Sequence, residues 1–386
     1  MDKMDTPPKN LCASAPLHEN QIKVLPHALL LPQQTVAKPG AALSLAKEAS
    51  VFGTKGILVH DASLRRSGKL DAILAASPLR TWQHAGGEPT VGAVEDLRAE
   101  LCRERPDWVA AVGGGSVIDL AKAAAGLADA PETAAFYQLN NGAIPPATLP
   151  LIAAPTTAGT GAEATVVAVL TDPSRTLKQS IRHPSFMPKC VILDPDLLDG
   201  CPKETVAAAG LDAFIQAFES YTSRHATPFT RALSELALVR ISRALLPLYR
   251  GDPRYAADML EASYLAGLAL SHARLGVIHG LAHPLGVRFN AAHGLTCACC
   301  LPAAMAFNRD AIAADLADLK SRLGIDVEAQ IDQWLGAMTL SNPFAGKQVT
   351  DREAFIRETL ASGSTAANPR PVTAEDAAAL LDAVLR

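Results

Sequence analysis

Between residues 55 and 195 the chain repeats one pattern, a short run of apolar residues followed by a longer stretch with apolar residues at helical spacing. The runs are Lys55–Asp61, Trp108–Val112, Leu149–Pro155, Val166–Thr171 and Cys190–Pro195. A strand that is apolar throughout, rather than at every second residue, is buried on both faces. That burial requires helices above and below, so the pattern predicts an α/β fold with a mainly parallel sheet. Helices are expected near 40–51, at 91–104 with Thr90 as the cap, and at 116–128. After Pro202 the strand runs stop. Helical periodicity takes over at 207–223, 230–249, 256–273, 297–307, 311–323, 351–360 and 374–385, which predicts an all-α second half. The chain therefore divides into a polar, proline-bearing loose tail (1–24), an α/β domain (25–201) and a helical domain (202–386).

Charge and cysteine usage exclude several functional classes. Lys and Arg number 35 against 39 Asp and Glu, a net charge of −4 with no basic stripe, so neither nucleic acid nor a membrane surface is an expected partner. No apolar run approaches the roughly 18 residues that span a bilayer, and the N-terminus lacks the apolar core of a secretory signal. The seven cysteines, at 12, 102, 190, 201, 297, 299 and 300, do not form a disulfide framework. A reduced, cytoplasmic protein is expected. Cys297, Cys299 and Cys300 lie among Leu and Ala and read as helix core rather than as ligands.

The densest chemistry lies between Gly276 and Leu301. His279 and His283 are four apart and share a helix face. Pro284 and Gly286 then allow a turn that returns His293 to the same point. Imidazoles so gathered bind a metal ion or pass a proton. Asp212 and Gln216 are likewise four apart, in an apolar helical stretch. A carboxylate buried there needs a cation, and a metal shared with the histidines would supply one.

Upstream, the strand ending at Val112 runs into Gly113-Gly114-Gly115-Ser116 and then a helix. Glycines allow close backbone approach, and the free amides of a helix start favour an anion such as a pyrophosphate. The G-x-G-x-x-G fingerprint is not met, because Ile118 stands at the third glycine. Asp61 ends the preceding strand, where a carboxylate accepts hydrogen bonds from an adenosine ribose and disfavours a 2′-phosphate, selecting NAD over NADP. The loop Pro155–Glu163 offers three threonine hydroxyls and exposed amides to a nucleotide.

Taken in order, Gly113-G-G-S-V-I-D-L-A-Lys122, Pro155-T-T-A-G-T-G-A-E, Asp194-P, Gly210-L-D-A, His279-G-L-A-H-P-L-G, His293-G-L and Asn368-P-R-P resemble the iron-containing (group III) alcohol dehydrogenase superfamily. The resemblance implies a Rossmann-like nucleotide domain, a helical domain of dehydroquinate-synthase-like architecture, and a divalent metal, Fe²⁺ or Zn²⁺, in the cleft between them. It implies NAD(H)-dependent interconversion of an alcohol with an aldehyde or ketone, and a homodimer. Asp212, His279 and His293 fall on ligand positions, and His283 on the position credited with proton relay. Gly114, Gly115 and Ser116 match the pyrophosphate loop, Thr156, Thr157 and Thr160 the second nucleotide loop, Lys178 a lysine near the nicotinamide ribose, and Asp61 the NAD-selecting acid. One departure stands out: Gln216 replaces a histidine in the ligand set, and a neutral amide oxygen is a weaker donor. Arg182, His183 and Arg288 adjoin these motifs and are candidates for binding an acidic group on the substrate. The alternatives are a metal-independent reductase similar to maleylacetate reductases, a cyclising lyase similar to 3-dehydroquinate synthase, and a relative that has lost catalysis.

Overall fold

The computed structural model describes residues 24–175 and 177–386, so the expected tail lies outside the described residues apart from Val24. Among the described residues there are eight strands: β1 (Gln34–Ala37), β2 (Gly56–His60), β3 (Arg80–Gln83), β4 (Trp108–Gly113), β5 (Leu151–Pro155), β6 (Val167–Asp172), β7 (Leu177–Arg182) and β8 (Cys190–Leu193). Six form one sheet in the order β1-β8-β5-β4-β2-β3, with every neighbouring pair parallel. Successive residues point to opposite faces, so Ile57, Val59, Val109 and Ala111 enter one core while Leu58, Ala110 and Val112 enter another. The unbroken apolar runs of β2 and β4 follow from this double burial.

The helices between these strands are α1 (Leu45–Ala49), α2 (Ala62–Arg66), α3 (Lys69–Ala76), α4 (Val91–Glu104), α5 (Gly115–Gly126) and α6 (Ala134–Gln138). Thr90 caps α4 as expected, its Oγ1 accepting from the Ala93 amide at 3.1 Å. The helix expected over 40–51 is instead three short pieces, with 3-10 turns on either side of α1. After residue 202 come α7 (Lys203–Thr222), α8 (Pro228–Tyr249), α9 (Ala256–Ala273), α10 (Val277–Phe289), α11 (His293–Asn308), α12 (Ala313–Asp318), α13 (Val327–Ala337), α14 (Arg352–Ala361) and α15 (Ala374–Val384), and no strand among the described residues. They enclose a third core, which includes Leu211, Phe214, Leu281, Leu301 and Trp334. No single helix among the described residues is long and apolar enough to cross a membrane.

Three strands were not expected from the sequence. β1, β3 and β7 are polar and at most half-buried over most of their length, so none shows an apolar run. The run at 166–171 is a strand, but it pairs antiparallel with β7 outside the main sheet. This hairpin puts Lys178, Ser180 and Arg182 on one face of β7, and that face borders the cleft described next.

Candidate active site and metal centre

The sheet changes direction between β2 and β4: the chain first adds β3 on one side of β2, then crosses to β4 on the other. In open parallel sheets, ligands bind outside the carboxyl ends of the strands at such a reversal. Asp61 follows β2 there, and Gly114 and Gly115 follow β4. Gly114 is the N-cap of α5 and Gly115 its first residue. A Cβ on Gly115 would lie 2.7 Å from Thr160 Oγ1, so the two nucleotide-loop candidates are in contact only because this residue is glycine. The Thr156 amide donates to the Gly113 carbonyl at 3.0 Å, tying the same two loops together. Asp61 caps α2, and all its side-chain acceptor contacts, from the Ser63 and Leu64 amides and the Ser63 hydroxyl, use Oδ1.

From this helix start a cavity of about 380 Å³ opens toward the helical half. Gly115, Ser116, Thr160 and Lys178 line it, together with Asp212, Gln216, His279, His283 and His293. Gly114, Thr156, Thr157 and Asp61 are not part of its wall. Lys178 pairs with Glu88 at 2.9 Å. Beneath the loop, the buried Lys122 ammonium donates to the Ala162 carbonyl (2.7 Å), Thr165 Oγ1 (3.1 Å) and the Val167 carbonyl (2.6 Å).

α7 supplies Asp212, Gln216 and Glu219 on one buried face. The first amides of α10 have no cap of their own. Val277 N–H donates to Asn368 Oδ1 (3.1 Å) and Ile278 N–H to Glu219 Oε1 (2.8 Å), which fixes His279 in the opening turn. Glu219 Oε2 then meets His279 Nδ1 at 2.6 Å, leaving Nε2 to face Asp212 Oδ1 at 3.3 Å. A carboxylate behind an imidazole in this way fixes its tautomer and raises its basicity.

The turn expected at Pro284 and Gly286 does not occur there. α10 continues through Pro284 to Phe289, and the chain reverses at Asn290, whose left-handed φ of 49° ends the helix. His293 opens α11, its Nε2 3.7 Å from Asp212 Oδ1. The His283 ring stacks on that of His293, with centroids 5.1 Å apart and planes at 11°. The anticipated convergence of His279, His283, His293 and Asp212 is thus present, reached by a different route.

Cys297 corrects the assignment of the cysteine run to core alone. It is fully buried, yet its Sγ lies 3.8 Å from His293 Nε2 and 4.0 Å from Asp212 Oδ1. One donor atom from each of Asp212, His279, His293 and Cys297 falls within 4.8 Å of the others. The clue in the sequence was the i, i+4 spacing from His293, the same spacing that linked His279 to His283. Glu219, seven residues after Asp212, was missed for the same reason. Gln216 donates its Nε2 to Asp212 Oδ2 at 3.0 Å, while its buried Oε1 meets no partner among the described residues.

Charge in the cluster is finely balanced. Burial opposes ionisation of Asp212, but the positive charges and hydrogen bonds of His293 and His279 outweigh it and hold the carboxyl below its ordinary range. Burial, with the neighbouring charges of His293, His279 and Lys178, pushes His283 well below the usual imidazole range. Its imidazole is therefore neutral. The donor set suits a divalent ion: one carboxylate, two imidazoles and a sulfur, with no Lys or Arg ion-paired to the carboxylate among the described residues.

Of the three substrate-binding candidates only Arg182 lies in the cleft, where it donates to Ser180 Oγ at 3.1 Å. His183 caps the turn Pro184–Phe186, accepting from the Ser185 amide. Arg288 is held by Asp351 and Glu358. Both are therefore removed from the substrate-binding candidates. Arg274, not anticipated, joins Arg182 in the cleft lining, and among the described residues neither forms an ion pair with a carboxylate.

Known proteins give the same assignment. The iron-containing alcohol dehydrogenase family matches residues 32–195, and the C-terminal region of the Fe-containing alcohol dehydrogenase family matches residues 206–385. The chain is 37% identical over 287 residues to the probable alcohol dehydrogenase EutG of Escherichia coli (strain K12), covering 72% of each protein. It is 31% identical over 365 residues to lactaldehyde reductase of the same strain, covering 87% of this chain and 94% of the relative. Among solved structures, sulfoacetaldehyde reductase from Bifidobacterium kashiwanohense in complex with NAD+ superposes with a TM-score of 0.85 at 25% identity, covering 92% of this chain and 97% of that one. The chain belongs to the iron-containing alcohol dehydrogenase family.

Proposed function

We propose that this protein is an NAD(H)-dependent oxidoreductase that interconverts a small alcohol with its aldehyde or ketone, using a divalent metal in the cleft. The observation that carries this reading is a single cavity holding both a glycine-opened helix start and a converged carboxylate–imidazole–thiol cluster. NAD(H) supplies or takes the hydride there, and the metal supplies Lewis-acid polarisation of the substrate oxygen.

The chain's own residues prepare both events. The amides of Gly115 and Ser116 at the start of α5 receive the pyrophosphate, with the Thr160 hydroxyl alongside. Asp61 Oδ2, which accepts no hydrogen bond among the described residues, is available to a ribose hydroxyl and accounts for a preference for NAD over NADP. Lys178, on the cleft face of β7, serves the nicotinamide ribose. Glu219 fixes His279, Gln216 fixes Asp212, and neutral His283 carries the proton between substrate and solvent. The small cavity, with Arg182 and Arg274 in its lining, favours short carbonyl compounds and among them those bearing an acidic group. Lactaldehyde and sulfoacetaldehyde, the compounds named for two relatives, bracket this range.

The test is NADH oxidation with a panel of short neutral and acidic aldehydes and ketones, run as purified, after chelation, and after return of Zn²⁺ or Fe²⁺. Turnover that chelation abolishes and a metal restores is the expected result. Undiminished turnover after chelation would remove the metal from the mechanism, and no turnover on any carbonyl would remove the reaction itself. Gly115→Ala places a methyl against Thr160 at the phosphate-binding helix start. It should raise KM for NADH by about tenfold, equivalent to about 1.4 kcal/mol, with a smaller change in kcat. Steady-state kinetics at saturating carbonyl substrate reads the split, and an unchanged KM would place the cofactor elsewhere.

A further inference from the structure

We propose that the metal in this site is held by Asp212, His279, His293 and the thiolate of Cys297, with Gln216 outside the coordination sphere, and that this set selects Zn²⁺ over Fe²⁺. The inference rests on the cleft being a metal centre, as proposed above.

The orientation of Gln216 decides its part. Asp212 Oδ2 can only accept a hydrogen bond, so the amide edge 3.0 Å away is the NH₂ edge. Turning the amide over would set its oxygen against the carboxylate oxygen. Held this way, Gln216 presents N–H groups toward Asp212, and an amide N–H is not a metal donor; its Oε1, which meets no partner among the described residues, lies on the opposite edge of the planar amide, away from the Asp212 carboxylate. It is a positioning residue for Asp212, as Glu219 is for His279.

Cys297 offers the fourth donor atom. It lies one helical turn beyond His293 on the same face of α11, and its sulfur falls within the donor group. Asp212, His279 and His293 line the cavity, whereas Cys297 is fully buried and does not. The sulfur therefore approaches from the protein side, and the side facing the cavity is left for the substrate oxygen, the open position that a catalytic metal site needs. Cys299 and Cys300 lie in the same run and contribute nothing to the donor group, so the placement of Cys297 is not a general property of the segment.

Charge and softness agree with this set. With Gln216 as fourth donor, one carboxylate would face a doubly charged ion in a buried site. With Cys297 the protein supplies two negative charges, matching the ion and avoiding a net buried charge. The thiol proton passes to solvent as the metal binds. Sulfur together with two imidazoles and a carboxylate is a donor set that suits zinc, and Zn²⁺ also lies above Fe²⁺ in intrinsic affinity for such sites.

X-ray absorption at the zinc edge of the full-length protein, stripped by chelation and reloaded with Zn²⁺, tests the ligand set directly. One sulfur scatterer at about 2.3 Å is expected beside nitrogen and oxygen at about 2.0–2.1 Å. In Cys297→Ser the sulfur shell should vanish and the Kd for Zn²⁺ rise by more than the roughly 10–100-fold that loss of an outer partner costs. Gln216→Ala should stay within that smaller range. The metal-free protein offered equal Zn²⁺ and Fe²⁺ under anaerobic conditions should take up zinc. Four outcomes overturn the proposal: a wild-type spectrum with only nitrogen and oxygen, a sulfur shell that survives Cys297→Ser, a greater loss of affinity from Gln216→Ala than from Cys297→Ser, or preferential uptake of iron. The wild-type spectrum decides even where a variant fails to fold. A sulfur shell in a protein that reduces no carbonyl would overturn the oxidoreductase reading and leave the ligand set standing. Carbonyl reduction with nitrogen and oxygen alone would do the reverse.

Discussion

Asp212→Ala should lower kcat/KM for NADH-dependent carbonyl reduction by about 10³-fold or more, a loss of about 4 kcal/mol of transition-state stabilisation. Asp212 is the group on which the cluster converges: His279 Nε2 lies 3.3 Å from Oδ1, His293 Nε2 3.7 Å and Cys297 Sγ 4.0 Å, while Gln216 holds Oδ2. Its removal deletes a charged donor of the proposed metal site, and so would cost the metal and the polarisation that the metal would give the substrate oxygen. Metal content by atomic emission should fall in parallel. Circular dichroism of the metal-free variant, compared with that of the metal-free wild type, separates loss of the metal from loss of the fold. A variant that keeps wild-type turnover would show that Asp212 has no part in the reaction.

Gly294→Ala should have the largest effect on the fold of any single added methyl group near the site. The new Cβ would lie 1.7 Å from the Ala208 carbonyl oxygen and 2.7 Å from its carbon, and 3.1 Å from Asp212 Cβ. The first two are backbone atoms inside α7, so no rotamer change relieves the clash and α11 must move away from α7. Overpacking ordinarily costs about 1–3 kcal/mol, and a collision with main chain lies at or beyond the top of that range. Because His293 and Cys297 ride on α11 while Asp212 stays on α7, the same displacement opens the donor group. Calorimetry should show a melting temperature several degrees lower, and titration of the soluble variant a much weaker Zn²⁺ site. If both quantities were unchanged, the two helices would not be in the contact described.

Parts of this molecule could be read from residue order alone, for identifiable reasons. β2, β4, β5 and β8 were visible because burial on both faces leaves an unbroken apolar run, and α4 because Thr90 marks its start. β1, β3 and β7 were not, since edge and hairpin strands keep polar residues that resemble loops. At the site, His279, His283, His293 and Asp212 carried their chemistry in their side-chain type. Cys297 did not, because a cysteine in an Ala- and Leu-rich helix has the same pattern whether its sulfur meets a neighbouring methyl group or three metal donors. Only the way α11 lies on α7 separates the two cases. Pro284 misled for a local reason: the cost of a proline within a helix is set by its surroundings, and here α10 absorbs it.

The ammonium of Lys122 sits among oxygens of the Ala162–Val167 segment, much as a potassium ion sits in a ring of carbonyls. A loop organised in that manner by a dissolved ion would take its shape from the surrounding salt. Here the cation is tethered to α5, so exchanging sodium for potassium or lithium should leave the Ala162–Val167 segment as it is, and the shape of that wall of the cleft belongs to the polypeptide rather than to its medium.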